Sequence, residues 1–287
     1  MMPARAPNIL VVDGYPKDDR ENLSGCGMTT AGDLYVSMLR GICPDARFSV
    51  LYPSDADGAL DAGMAVSDFD GVAWTGCSLT IHDETDGRVK RHIELAREAY
   101  QAGVPQYGTC WGVQIAAVAA GGAVAANPGG REMGIGRKIT LSATGRAHPM
   151  YTDKPTTFDG YVSHFDEVTH LPPGAEVLAA NAFTRVQALS VYHEKGAFWG
   201  LQYHPEYDLY EMARLIHCRR AALIKEGFFK DEAEAQSLVH QFEQLHKNPA
   251  DKALAWQLGV EADLIVDHVR QTEPHNWMQR LVLPNMM

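Results

Sequence analysis

A cysteine bracketed by glycines and, far downstream, a histidine followed by proline and glutamate are the residues of this chain best suited to chemistry. The cysteine stands in Val104-Pro105-Gln106-Tyr107-Gly108-Thr109-Cys110-Trp111-Gly112-Val113-Gln114. A strand-like run, Gly-x-Cys-x-Gly and then helix formers make the thiol version of a nucleophile elbow. Gly108 and Gly112 clear room for a sharp turn that lifts Cys110 above a sheet. Cys110 would then stand at a helix N-terminus, where free amides and the helix dipole favour the thiolate, the nucleophilic form. A free cysteine without such flanks is more often a small buried hydrophobe; the paired glycines favour the reactive reading. The second cluster ends the run Gly200-Leu201-Gln202-Tyr203-His204-Pro205-Glu206-Tyr207. A thiolate needs a proton carrier oriented by a carboxylate or carbonyl, and the bend at Pro205 lets Glu206 turn back onto the His204 imidazole.

Metal chemistry has weaker support. Twelve histidines are present, but no His-x₃-His or carboxylate-paired cluster falls on one expected element, and no metal or cofactor is expected. His82-Asp83-Glu84 reads as a solvated face or a substrate-loop contact. Gly129-Gly130 and Gly134-x-Gly136 lack the strand context and spacing of a phosphate loop.

These residues need a scaffold, and the first two-thirds of the chain alternate short apolar runs with amphipathic stretches. Strands are expected at Asn8–Val12, Phe48–Tyr52, Gly71–Trp74 and Val104–Tyr107, with a long polar loop over Asp13–Gly32. Helices are expected near Asp33–Arg40, over Val89–Ala102 and over Trp111–Ala120, after which Ile115–Ala126 reads as a packed helix end. The pattern predicts an α/β fold, a mostly parallel sheet flanked by helices with its chemistry beyond the carboxyl ends of the strands. From Ile139 onward shorter pieces (Ile139–Leu141, Tyr161–Val162, Glu176–Ala179, Ala188–Tyr192 and Ala197–Gln202) predict an antiparallel continuation that runs into His204. Helix formers follow over Asp208–Glu226, Asp231–Lys247 and Ala250–Thr272. The expected organisation is a catalytic domain over 1–207 and a helical extension over 208–287 packed on it.

Composition narrows the partners. With 46% apolar and 21% charged residues among 287, the chain can bury a large core. A net charge of −11 repels phosphate backbones and anionic headgroups, so neither nucleic acid nor membrane is an expected partner. No apolar run reaches the ~18 residues of a membrane span, no signal peptide is read at the N-terminus, and a cytoplasmic location is the expectation. Five cysteines without a C-x-x-C pair indicate neither a disulfide framework nor a thiolate zinc site.

Gly108-x-Cys110-x-Gly112-x-Gln114, Ser163-His164-Phe165-Asp166 and Gln202-Tyr203-His204-Pro205-Glu206 occur in the order and approximate spacing of the class I (triad-type) glutamine amidotransferases. The chain resembles that family over about Asn8–Tyr207. With Ser-His-x-Asp in the middle motif, it is more similar to the glutaminase domain of GMP synthases than to that of anthranilate synthases. The resemblance implies a flavodoxin-like fold and a triad of Cys110 as nucleophile, His204 as general acid and base, and Glu206 as its orienter. It also implies that Gln114 and the backbone of Ser163, His164 and Phe165 hold the α-amino and α-carboxylate ends of a γ-glutamyl substrate such as glutamine. One segment departs from the pattern: the family's Gly-Gly-Pro turn is here Trp74-Thr75-Gly76-Cys77-Ser78. An amide of Gly76 or Cys77 can still pair with that of Trp111 around an oxyanion, and the Cys77 thiol reads as a packing residue. The altered turn and the His-Pro-Glu-Tyr ending resemble the γ-glutamyl peptidase branch, so two activities stay open. The first reading is a glutamine amidotransferase, a glutaminase feeding ammonia to a separate synthase subunit, since no ATP signature is present; the alternative is a stand-alone γ-glutamyl hydrolase. A non-catalytic regulatory subunit and self-association are the remaining readings.

Overall fold

The computed structural model describes residues 5–83 and 85–286. In chain order its elements begin with β1 (Asn8–Val12), α1 (Lys17–Gly25), α2 (Ala31–Ile42), β2 (Arg47–Leu51), β3 (Gly71–Trp74), α3 (Gly87–Ala102), β4 (Gln106–Thr109) and α4 (Trp111–Ala119). The middle of the chain holds β5 (Ala123–Ala126), β6 (Glu132–Leu141), α5 (Ala143–Ala147), β7 (Thr157–His164), β8 (Asp166–His170), β9 (Ala175–Ala180), β10 (Ala188–His193) and β11 (Gly196–Leu201). Helices close it: α6 (Leu209–Lys225), α7 (Glu232–Lys247), α8 (Lys252–Leu258), α9 (Ala262–Ile265), α10 (Asp267–Arg270) and α11 (Thr272–Trp277).

The central sheet runs β2-β1-β3-β4-β11-β10-β9-β6-β7. The pairs from β2 to β11 are parallel, and from β11 outward they are antiparallel. The parallel strands β3 and β4 are buried at every position, as strands covered on both faces must be; β3 reads as a short apolar run, whereas β4 lies two residues further on than the expected Val104–Tyr107 and carries Gln106 and Thr109. On one face Val12, Trp74 and Phe198 pack with Val113 and Ile115 of α4 and Ala96 and Tyr100 of α3. On the other, Ile9, Val11 and Tyr107 pack with Tyr35 and Leu39 of α2 and with Trp277 and Met278 of the C-terminal helices. Gly71 makes room for that Trp277: a Cβ there would lie 2.9 Å from the indole. A third apolar cluster joins Met212 and Ile216 of α6 to Val239, Phe242 and Leu245 of α7 and extends to Tyr15 and Tyr207.

The α/β architecture is the expected one, with local corrections. The polar segment 13–32 contains α1, a surface helix that buries only Leu23 and so carries no apolar stripe to announce it. Ala123–Ala126 forms no helix end but a strand that pairs antiparallel with β8 in a separate two-stranded ribbon, after Gly121 breaks the chain at φ 93°. The single helix expected over Ala250–Thr272 is three short ones, α8 to α10, interrupted first at Gly259, which closes α8 in the left-handed region (φ 63°). By contrast α6 and α7 start where expected, with the Asp208 and Asp231 side chains accepting from the amides of Glu211 and Glu234. Among the described residues no helix is long and apolar enough to cross a membrane.

Candidate active site

The carboxyl ends of β3, β4 and β11 meet at one point, and the elbow forms there because the backbone has to turn from strand to helix within one residue. Cys110 has φ 51° and ψ −93°, a conformation that costs an L-residue free energy and needs support from its surroundings. That support is visible: the Cys110 amide donates to the Leu201 carbonyl of β11 at 2.7 Å. The glycines allow the approach, since a Cβ on Gly108 would come within 2.8 Å of the Gly112 Cα and the Trp74 Cβ.

His204 follows β11 directly, its amide donating to the Tyr161 carbonyl at 2.8 Å. The bend at Pro205 brings Glu206 back, and His204 Nδ1 lies 2.6 Å from Glu206 Oε1. The same carboxylate oxygen accepts from Thr109 Oγ1 at 3.0 Å, and Thr109 lies 2.6 Å from the Tyr35 hydroxyl. The Tyr207 ring stacks on the imidazole with centroids 4.2 Å apart. His204 Nε2 is buried without a hydrogen-bond partner among the described residues. Burial alone would lower the basicity of this imidazole, but the Glu206 carboxylate and the neighbouring Cys110 lift it to about 9. The geometry fixes Nδ1 of the imidazole against the Glu206 carboxylate and leaves Nε2 available.

On the opposite side of Cys110 lies the turn after β3. The Gly76 Cα faces the site: a Cβ there would sit 3.2 Å from His204 Cε1 and 3.9 Å from the Cys110 Cβ. The Gly76 carbonyl accepts from Thr75 Oγ1 at 2.8 Å, and in a trans peptide the next amide, that of Cys77, points the other way. None of the amides of Gly76, Cys77 and Trp111, the last being the first residue of α4, has an acceptor among the described residues. The Cys77 thiol turns out of the site to donate to the Gly14 carbonyl at 3.0 Å. The Trp111 indole donates to His92 Nδ1 at 3.0 Å, His92 Nε2 lies 3.4 Å from Ser54 Oγ, and that hydroxyl donates to the same Gly14 carbonyl at 2.7 Å. Burial holds His92 down at about 4, so it is neutral and can accept from the indole.

A cavity of about 310 Å³ opens beside the sulfur and is lined by Cys110, Gln114, Ser163, His164, Phe165 and Asp166 together with Cys77, Arg131 and Arg219. The larger hollows, about 520 Å³ beside α3 and about 900 Å³ against the C-terminal helices, do not include Cys110. The sequence motifs thus come together. The Ser163 carbonyl is 3.8 Å from the Cys110 sulfur. His164 is clamped from both sides, Nε2 at 2.9 Å from Glu132 Oε2 and Nδ1 at 3.0 Å from the Asp166 carbonyl. Burial would raise the Glu132 carboxyl, yet donors from His164, Asn181 and Thr184 hold it below the usual carboxylate range. Phe165 is the exposed member of the motif and lies under the Arg131 guanidinium, 3.8 Å from its centroid. His82 is about half exposed and faces Asp166 at 3.8 Å at the edge of the site; Glu84 lies outside the described residues.

Arg219, Thr109, Tyr35 and Glu132 are site residues the motifs did not single out. Thr109 adjoins Cys110, but Arg219 is on α6, with no local pattern to mark it.

A family model of class-I glutamine amidotransferases matches residues 80–217 of the chain. A γ-glutamyl-L-1-hydroxyisopropylamide hydrolase of a Pseudomonas species is 30% identical over 285 residues, spanning 96% of this chain and 93% of that protein. The glutamine-hydrolysing GMP synthase of Chlorobium limicola is 30% identical over 160 residues, 54% of this chain and 30% of the synthase. The crystal structure of a glutamine amidotransferase from Thermotoga maritima shares the fold, with TM-score 0.66 at 17% identity over 97% of this chain and 99% of that one. The chain belongs to the class-I glutamine amidotransferase family. It is an enzyme, similar along nearly its full length to a γ-glutamyl hydrolase and over about half of it to the GMP synthases.

Proposed function

We propose that the protein hydrolyses a γ-glutamyl amide through a glutamyl thioester, working alone. The Cys110 thiolate attacks the δ-carbonyl carbon, and the Cys77 and Trp111 amides stabilise the oxyanion that forms. As the tetrahedral intermediate collapses, the C–N bond breaks and the His204 imidazolium gives its Nε2 proton to the departing amine. Neutral His204 then takes a proton from water, which attacks the thioester and releases glutamate and the thiolate. Glu206 holds the ring and its charge throughout. Gln114 and the Ser163–Phe165 backbone hold the α end of the substrate. Residues 1–207 supply this machinery, and the extension from 208 closes the pocket.

The observation that carries the hydrolase reading is the extent of the likeness. Similarity to the γ-glutamyl hydrolase runs through the C-terminal helices, whose Arg219 lines the pocket, whereas similarity to the synthases covers about half of the chain. This reverses the order in which the motifs alone rank the two activities. The second reading, a glutaminase delivering ammonia to a separate synthase, rests on that partial likeness. A turnover panel with the purified chain separates them: glutamine, γ-glutamyl alkylamides and γ-glutamyl peptides, with mass detection of the products. Turnover of a substituted γ-glutamyl amide well above that of glutamine is expected, and Cys110→Ala is expected to lower it at least about 10⁴-fold. Activity on glutamine that appears only with added synthase fractions would favour the second reading.

A further inference from the structure

The pocket contains a cation with no carboxylate partner among the described residues. Arg219 sits on α6, half-buried, and reaches across the cavity so that Nη1 donates to Ser163 Oγ at 2.6 Å. Ser163 is in the middle motif, and its carbonyl faces the nucleophile. Arg131, the other arginine of the same cavity, is paired with Glu226 at 2.7 Å and covered by Phe165. Among the described residues Arg219 has no carboxylate within ion-pairing distance. Its electrostatic neighbours are the hydroxyls of Tyr15 and Tyr207 and the Cys110 sulfur. Removing a guanidinium from water without a counter-ion is costly, and a structural role would be met more stably by an uncharged donor to Ser163. A planar guanidinium that lines the pocket and is held there by the hydroxyls of Ser163 and Tyr15, with no carboxylate partner among the described residues, fits a carboxylate.

We propose that Arg219 is the substrate-carboxylate anchor of this enzyme, a specificity-determining residue supplied by the C-terminal helices and lying just past the stretch that matches the family model. The assignment rests on the γ-glutamyl reading above. Gln114 and Ser163 in the same cavity put Arg219 on the acyl side of the sulfur, so the α-carboxylate of the γ-glutamyl group is the expected ligand.

Two measurements test it. First, Cys110 is alkylated with iodoacetate and with iodoacetamide, which differ by a carboxylate and need no turnover. In Arg219→Gln the ratio of the iodoacetate rate to the iodoacetamide rate is expected to fall about tenfold. An unchanged ratio overturns the proposal. So does an equal loss with both reagents, which would mean that Arg219 serves the thiolate and binds no ligand. Second, glutamine, γ-glutamyl ethylamide and γ-glutamylglycine are compared. Arg219→Gln is expected to lower kcat/KM about 10²-fold on all three, chiefly through KM, with Arg219→Lys recovering part of it. A loss confined to γ-glutamylglycine, the one substrate with a carboxylate on the departing amine, overturns the α-carboxylate assignment. The thermal midpoint of Arg219→Gln is expected to equal or exceed that of the parent chain, and a fall would mark a structural role. If the parent turns over none of the three while the alkylation ratio responds as stated, the hydrolase reading fails and the anchor stands.

Discussion

The two walls of the pocket are built differently. One comes from the sheet: Cys110 follows β4 while His204 and Glu206 follow the neighbouring β11, and they are held by backbone hydrogen bonds, by each other and by Thr109 at the end of β4. The other comes from the C-terminal helices, which reach the site only through long-range side-chain contacts. Arg219 meets Ser163, Arg270 donates to the Pro205 carbonyl at 3.2 Å, and Glu273 accepts from the Tyr203 hydroxyl at 2.7 Å. The last two grip the residues flanking His204. The sheet wall can therefore carry the chemistry with local geometry alone, while the helical wall sets what is bound and keeps the histidine segment in place.

The sharpest way to break this division is to damage the sheet wall and look for a purely chemical defect. Glu206→Gln is expected to lower kcat/KM about 10³ to 10⁴-fold at neutral pH with little change in fold. It also has a signature in pH. The parent is expected to lose activity as pH rises through about 9, where His204 gives up the proton that the departing amine needs. In Glu206→Gln the carboxylate that lifts the imidazole is gone while its burial remains, so the alkaline limb moves to lower pH. A pH–rate profile with an unmoved limb would show that Glu206 does not set the histidine's charge.

This division also explains what could be read from the sequence. Gly108-x-Cys110-x-Gly112 and His204-Pro205-Glu206 are legible because their function depends on turn chemistry written into adjacent residues. The strands β1 and β3 are legible because burial on both faces leaves them as nearly unbroken apolar runs. Ala123–Ala126 was not, since alanine favours helix and only its pairing with β8 makes it a strand. Arg219 and Glu273 were not legible either: their partners are 56 and 70 residues distant, and an arginine or glutamate within a helical stretch reads as a solvated face.

Damaging the helical wall should give the complementary result, a loss of stability. Lys154 lies 3.0 Å from Glu273 Oε1, with the two side chains 2% and 0% exposed. Lys154 Nζ also donates to the Val269 carbonyl at 2.9 Å. Glu273→Leu leaves a buried ammonium unpaired and is expected to cost about 3–5 kcal/mol in denaturant unfolding, whereas Lys154→Met/Glu273→Leu should recover most of that loss. Under conditions where it is folded, Glu273→Leu should keep kcat within a few-fold of the parent. A kcat collapse that the double variant does not restore would mean that the helical wall takes part in the chemistry, and the division would fail.

The rim offers the smallest effect and tests where the attachment energy resides. Arg137 on β6 pairs with Asp159 at 2.7 Å and donates to the Leu258 carbonyl at 2.9 Å and to that of Gly259. It thus joins the sheet edge to the end of α8. Its side chain is 45% exposed, so water and salt compete for every one of these contacts. Arg137→Ala is expected to cost no more than about 1 kcal/mol, and less in 1 M salt than in 0.05 M, with kinetics unchanged. The contrast with Glu273 lies in solvent: the same kinds of partner, a carboxylate and backbone carbonyls, hold an arginine weakly at the edge and a lysine strongly in the interior. A salt-independent loss as large as that of Glu273→Leu would place the anchorage of the helices at the rim, and the residues flanking His204 would then depend on the edge of the sheet.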